Sequence, residues 1–122
     1  MKPQILKKFW FLIFLVVAAD TVYSGEFKFG KIIAYPNPFN PESKTLTILP
    51  EGTSGFSGNV TYTIYNFNEK AVYSGTVSNS AIYWSGHSSD GNRVAPGLYF
   101  VRIIENRNDF TTATGIVKVI IK

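Results

Sequence analysis

The segment Tyr35-Pro36-Asn37-Pro38-Phe39-Asn40-Pro41 constrains the fold more than any other part of this chain. Each of its three prolines fixes φ, removes a backbone donor and pushes the preceding residue toward extended backbone. A helix is therefore excluded, and a central strand would lack the donors its ladder requires. What remains is a stiff extended segment with turns, anchored by Tyr35 and Phe39. Rigid geometry on this scale ties the segment to a topology or to a function.

Upstream the composition changes. Lys2, Lys7 and Lys8 precede an uninterrupted apolar run from Phe9 to Ala19, and small residues lead to Val22-Tyr23-Ser24 ahead of Gly25. A basic start, a short apolar stretch and a small residue at the cut describe a secretory signal peptide over residues 1–24. The apolar run is too short for a membrane span, which needs about 20 residues, so no transmembrane span is expected after cleavage. Removing 24 of 122 residues leaves 98, a length that fits one domain. The removed part carries three lysines and Asp20, so the formal net charge falls from +4 to +2. Arg93, Arg102, Arg107 and the remaining lysines are scattered among acidic residues. They form no basic stripe of the kind that tracks phosphates, so nucleic acid is not an expected partner.

The chain has no cysteine. Small exported domains often rely on disulfides to supplement a thin core, and this one must fold on burial alone. Its aromatic content of 16% compensates, because each buried aromatic hides roughly 150–250 Å².

From Lys31 onward, short β-rich runs alternate with clusters of Gly, Pro, Asn and Ser. The runs are Ile32 to Tyr35, Lys44 to Leu49, Val60 to Asn66, Ala71 to Val77, Ala81 to Trp84, Leu98 to Glu105, and a closing strand that ends at Lys122. In the fourth quarter of the chain Tyr99, Val101 and Ile103 share one face, with Leu98, Phe100 and Arg102 on the other. Val117, Val119 and Ile121 point inward in the last strand, and Lys118 and Lys122 point out. About seven strands without helical periodicity predict an all-β, two-sheet antiparallel sandwich of immunoglobulin-like type over residues 31–122. Ile64, Trp84, Tyr99, Val101, Ile103, Val117 and Val119 are its expected core. Residues 25–30 are expected to be a short unpaired linker, and the Glu51 to Gly58 loop is long.

Catalytic chemistry is not evident. His87 lies near Ser85, Ser88, Ser89 and Asp90, but residues two and three apart on one loop do not reach a nucleophile–base–acid arrangement easily. With one histidine and no cysteine the chain lacks the ligands for zinc. Asp90-Gly91-Asn92 lacks the acidic ladder of a calcium loop and fits a tight turn. No enzyme activity, metal or cofactor is expected. Trp84 is read as core filler in preference to a sugar-stacking platform.

Three residue groups, taken in order, resemble one family. They are Tyr35 to Pro41 with the Ile64-Tyr65-Asn66 strand end, then Trp84-Ser85-Gly86 with Asp90-Gly91 and Pro96-Gly97-Leu98-Tyr99-Phe100, and last Lys118-Val119-Ile120-Ile121-Lys122. Together they resemble the C-terminal sorting domain of type IX secretion cargo, which is similar to the immunoglobulin-like domain of the flagellar hook-capping protein. The resemblance implies a seven-stranded sandwich that serves as an address. An outer-membrane translocon would read it, and a sortase would remove it from its cargo. It also implies recognition residues at Tyr35, Pro36, Asn37, Pro38, Phe39, Asn40, Pro41, Lys118 and Lys122.

The expected function is thus non-catalytic recognition by a protein partner, either the translocon or an assembly component. The expected location is the periplasm, the outer-membrane surface or the extracellular space. The last strand is a candidate for edge pairing with a partner sheet, although outward lysines usually guard against that. Such a domain usually follows a long cargo, and here only residues 25–30 separate the cleavage site from the first strand. The second expectation is therefore a free-standing structural module in a periplasmic or surface assembly. A third, a carbohydrate-binding module, requires two or more exposed coplanar aromatics.

Overall fold

The computed structural model describes residues 23–27, 30–107 and 109–122, so most of the expected signal peptide lies outside it. Every regular element among the described residues is a strand. They run β1 (Tyr23–Phe27), β2 (Gly30–Tyr35), β3 (Leu46–Pro50), β4 (Asn59–Tyr65), β5 (Ala71–Ser78), β6 (Ile82–Trp84), β7 (Gly97–Asn106) and β8 (Thr112–Ile121).

Seven of these strands make two antiparallel layers. One is four-stranded, β5-β4-β7-β8, and the other three-stranded, β2-β3-β6. Their inner faces follow from period-two alternation. Val60, Tyr62 and Ile64 from β4, Tyr99, Val101 and Ile103 from β7, and Val117, Val119 and Ile121 from β8 meet Ile32, Ala34, Leu46, Ile48, Ile82 and Trp84 from the opposing layer. The result is the expected all-β sandwich.

The eighth strand departs from expectation. β1 pairs with β2 along its whole length, from Tyr23 opposite Ala34 to Phe27 opposite Gly30. It also pairs with β8, through Glu26 opposite Ile116 and Phe27 opposite Gly115. It therefore joins the two layers along one side, and the residues from Gly25 to Phe27, expected to be unpaired, belong to a strand. The Tyr-Ser-Gly-Glu-Phe segment has too little apolar alternation to advertise itself, because its place is set by backbone hydrogen bonding between two existing edges.

The centre of the core is aromatic. The Trp84 ring lies 6.2 Å from that of Phe39, 6.5 Å from Tyr73 and 6.3 Å from Tyr99. Such tilted and edge-on contacts add to plain area burial. The polar atoms of the cluster are satisfied: Trp84 Nε1 donates to the His87 carbonyl at 2.9 Å, and Tyr99 Oη donates to the Ala95 carbonyl at 2.6 Å. Phe56, from the long loop before β4, also reaches the core and is buried.

Trp84→Ala should cost about 3–5 kcal/mol, the range for removing a large buried aromatic, and should leave the domain partly or wholly unfolded at 37 °C. Urea titration followed by circular dichroism measures this. An unchanged midpoint would mean that the indole does not hold the two layers together.

Candidate recognition site

The proline segment leaves the end of β2 and crosses to β8. The peptide bonds before Pro36 and Pro38 are cis. With no N–H at positions 36 and 38, the segment cannot form an ordinary ladder, and Asn37 supplies the missing groups from its side chain. Asn37 Nδ2 donates to the Lys118 carbonyl at 2.9 Å, and Asn37 Oδ1 accepts from the Ile120 N–H at 2.9 Å. The amide thus pairs with β8 as a peptide group would. Two residues on, at Phe39, true backbone pairing takes over. Phe39 N–H donates to the Ile120 carbonyl at 2.7 Å, and Lys122 N–H donates to the Phe39 carbonyl at 2.9 Å, forming a parallel bridge between Phe39 and Ile121.

Beneath this clasp the ring of Phe39 is fully buried against Trp84. Gly86 sits where the segment turns away, at φ +86°. A Cβ there would come within 2.7 Å of Pro41 Cβ and 3.4 Å of the Phe39 ring. The Tyr35–Pro41 and Trp84-Ser85-Gly86 groups, far apart in sequence, are therefore two sides of one packed joint. Asn40 closes the segment: its side-chain oxygen accepts from Glu42 N–H at 3.0 Å, and its carbonyl accepts from Lys44 N–H at 3.0 Å. An exposed Arg93–Glu42 ion pair at 3.0 Å bridges to the loop between β6 and β7 and contributes little by itself.

The nine candidate recognition residues thus divide. Asn37 and Phe39 are buried, Pro36, Pro38 and Pro41 are half-buried, and Tyr35, Asn40 and Lys122 are exposed. Lys118, expected to point to solvent, is only 1% exposed. Alternation correctly puts it on the face opposite Val117 and Val119. However, its direct cross-strand neighbour Phe100 is buried as well, so that face is covered at this position, and the alternation pattern alone does not reveal cover. Burial pushes the Lys118 ammonium down to about 8. The expectation that β8 offers an open edge is also corrected. Its second edge is occupied by β1 at Gly115 and Ile116, and by Asn37 and Phe39 toward its end.

Of the expected core residues, Ile64, Trp84, Tyr99, Val101, Ile103, Val117 and Val119 are all at most 5% exposed. The loop around His87 contains no relay. Asp90 Oδ1 accepts from Ser88 Oγ and from Asn92 N–H, which holds its carboxyl below the usual range, whereas His87 Nδ1 lies 3.1 Å from Ser85 Oγ. No group of three or more metal-ligating side chains occurs among the described residues, and they contain no helix long and apolar enough to cross a membrane. Two exposed aromatics, Tyr35 and Tyr83, flank Thr47 in one cross-strand row of the three-stranded layer.

One buried polar centre was missed by sequence reasoning. Glu105, 1% exposed, accepts from Ser57 N–H at 2.8 Å, Gly58 N–H at 3.3 Å and Ser57 Oγ at 3.4 Å. It also pairs with Arg107 Nε at 2.7 Å. It fastens the long Glu51 to Gly58 loop over one end of the core. The signal was present: Glu105 continues the inward series Tyr99, Val101, Ile103.

The described residues thus form a two-layer antiparallel sandwich whose last strand carries a proline clasp. The chain belongs to the family of secretion system C-terminal sorting domains, whose model matches residues 33–122. Comparison with curated proteins returned no match. Among solved structures the chain is similar to PorZ of Porphyromonas gingivalis, described as an essential bacterial surface component of the type IX secretion system. The TM-score is 0.56 and the identity 23%, over 75% of this chain and 11% of that one. FlgD of Xanthomonas campestris, a hook-capping protein of flagellar assembly, is aligned at a TM-score of 0.43 and 18% identity, over 80% of this chain and 58% of that one. FlgD of P. aeruginosa is aligned at 0.41 and 19%, over 51% and 52%. The chain therefore spans about a tenth of the PorZ chain and just over half of each FlgD chain.

Asn37→Ala removes two hydrogen bonds and leaves the Ile120 N–H without its acceptor, a loss of about 1–3 kcal/mol. Hydrogen exchange should quicken at the Phe39, Ile120 and Lys122 amides and stay unchanged at Val101. A second expectation concerns pH. The unfolded chain keeps the Lys118 proton up to its ordinary value of 10.5, whereas the folded chain releases it near 8. The unfolded state therefore binds more protons between those values, and stability should rise with pH across that window. Thermal melts from pH 7.5 upward should show this rise, and Lys118→Met should remove it. Between 10.0 and 10.5 this rise is opposed, and above 10.5 stability should fall, because burial, with the neighbouring Tyr73 phenol, pushes Tyr62 up to about 12.

Proposed function

We propose that residues 31–122 act as an exported, non-catalytic address that is read in folded form by the outer-membrane translocon of a type IX secretion system. The observation that carries this reading is the family match over residues 33–122, joined to the clasp that holds the proline segment on β8. The mechanism is surface complementarity. Segment and strand are fixed to each other before any partner arrives, so little conformational freedom is lost on binding. Asn37 and Phe39 build the surface from within. Tyr35, Asn40 and Lys122, which are exposed on or beside the clasp, present it outward.

The test is delivery of the full chain in a bacterium that carries the system. In the parent strain the chain should reach the cell surface or medium, and in a strain lacking the translocon it should stay in the periplasm. Combined Tyr35→Ala, Asn40→Ala and Lys122→Ala should reduce delivery several-fold while the melting temperature stays within a few degrees. Recovery of an intact chain in a periplasmic complex, with location independent of the translocon, would instead make the sandwich a structural module.

A further inference from the structure

We infer that β5 is a self-pairing edge, through which two copies of this chain join their four-stranded layers into one continuous sheet. β5 ends the four-stranded layer, and the direction of its backbone groups follows from two hydrogen bonds that flank its ladder with β4. Asn66 N–H donates to the Lys70 carbonyl at one end, and Asn79 N–H donates to the Gly58 carbonyl at the other. Bonded and non-bonded pairs alternate in an antiparallel ladder, and the single irregularity, at Ile64/Tyr65, absorbs the offset between the two ends. Tyr73, Gly75 and Val77 therefore turn their N–H and C=O groups toward β4. Ser74, Thr76 and Ser78 turn theirs away from the sheet.

The available stretch has defined limits. Val72 is already occupied, its carbonyl accepting the Ser89 N–H at 2.9 Å, and past Ser78 the chain bends at Asn79, with φ 51°. The outward groups of Ser74, Thr76 and Ser78 are thus centred on Thr76. Natural edges are usually guarded by lysine, proline or a charged side chain, yet the chain from Ala71 to Ser89 contains no Asp, Glu, Lys, Arg or Pro.

A second copy fits this edge better than an unrelated strand because the edge is complementary to itself. A two-fold axis through Thr76 sets Thr76 opposite Thr76 and Ser74 opposite Ser78. Each pair can exchange both backbone bonds, and hydroxyl pairs of this kind are favourable neighbours on an exposed face. The same register sets half-buried Val77 opposite Gly75 of the other copy, a position that must stay small because a Cβ there would come within 2.6 Å of Tyr62 Oη. With no charge on the edge, antiparallel self-pairing brings no like charges together. Six backbone bonds across one short strand make a small interface, of the size that gives weak, concentration-dependent association.

Sedimentation velocity of the exported chain, recovered from the periplasm, should show a monomer–dimer equilibrium that shifts with concentration. Thr76→Lys places two ammonium groups opposite each other on the axis. It should weaken the dimer at least about tenfold with an unchanged circular dichroism spectrum and melting temperature. Because the chain has no other cysteine, Thr76→Cys should be captured as a dimer by a short thiol–thiol crosslinker, and Ser54→Cys in the exposed loop should not. A chain that stays monomeric at every concentration overturns the proposal. So does a dimer that Thr76→Lys leaves intact, since it must use another surface.

Discussion

The structure depends on one side-chain amide doing the work of a peptide bond. Prolines at 36 and 38 give the crossing segment its stiffness but remove the groups by which a chain normally holds on to a strand. Asn37 restores one donor and one acceptor, both facing β8, between residues more than 80 positions apart in sequence. Phe39 then sits at the right depth to reach Trp84, and Gly86 leaves the space that Pro41 occupies. Stiffness, attachment and burial are therefore supplied by different residues within one short segment. This is why it reads in sequence as an unusual mixture of proline, asparagine and aromatic residues.

Much of the fold was legible because the strands that form the two layers bury one face each. Val60, Tyr62 and Ile64, or Tyr99, Val101 and Ile103, declare their common face by spacing alone. The segment Tyr35–Pro41 was legible as stiff and non-helical, but its target was not. Nothing in local sequence states that an asparagine side chain will bond to a strand near residue 120.

The failures share a cause. β1 is held by backbone pairing between two strands, so its side-chain pattern carries little information. Lys118 was placed on the correct face, but whether a face is covered depends on what packs there, and period two is silent on that. Glu105 shows the converse. Its parity pointed inward, while its charge argued for solvent, and the parity prevailed because loop N–H groups and Arg107 satisfy the carboxylate. Burial of an ionisable group is decided by the partners that the tertiary structure brings to it.

The position of β8 sets an order of events. It lies between β7 and both β1 and the proline segment, although it follows every other strand in the chain, so no earlier fragment can close the two layers or fasten residues 35–41. Without positions 112–122, the preceding part of the domain has no strand to which the 35–41 crossing can be fastened. Closure of the two layers and fastening of the crossing segment thus both wait on the last strand.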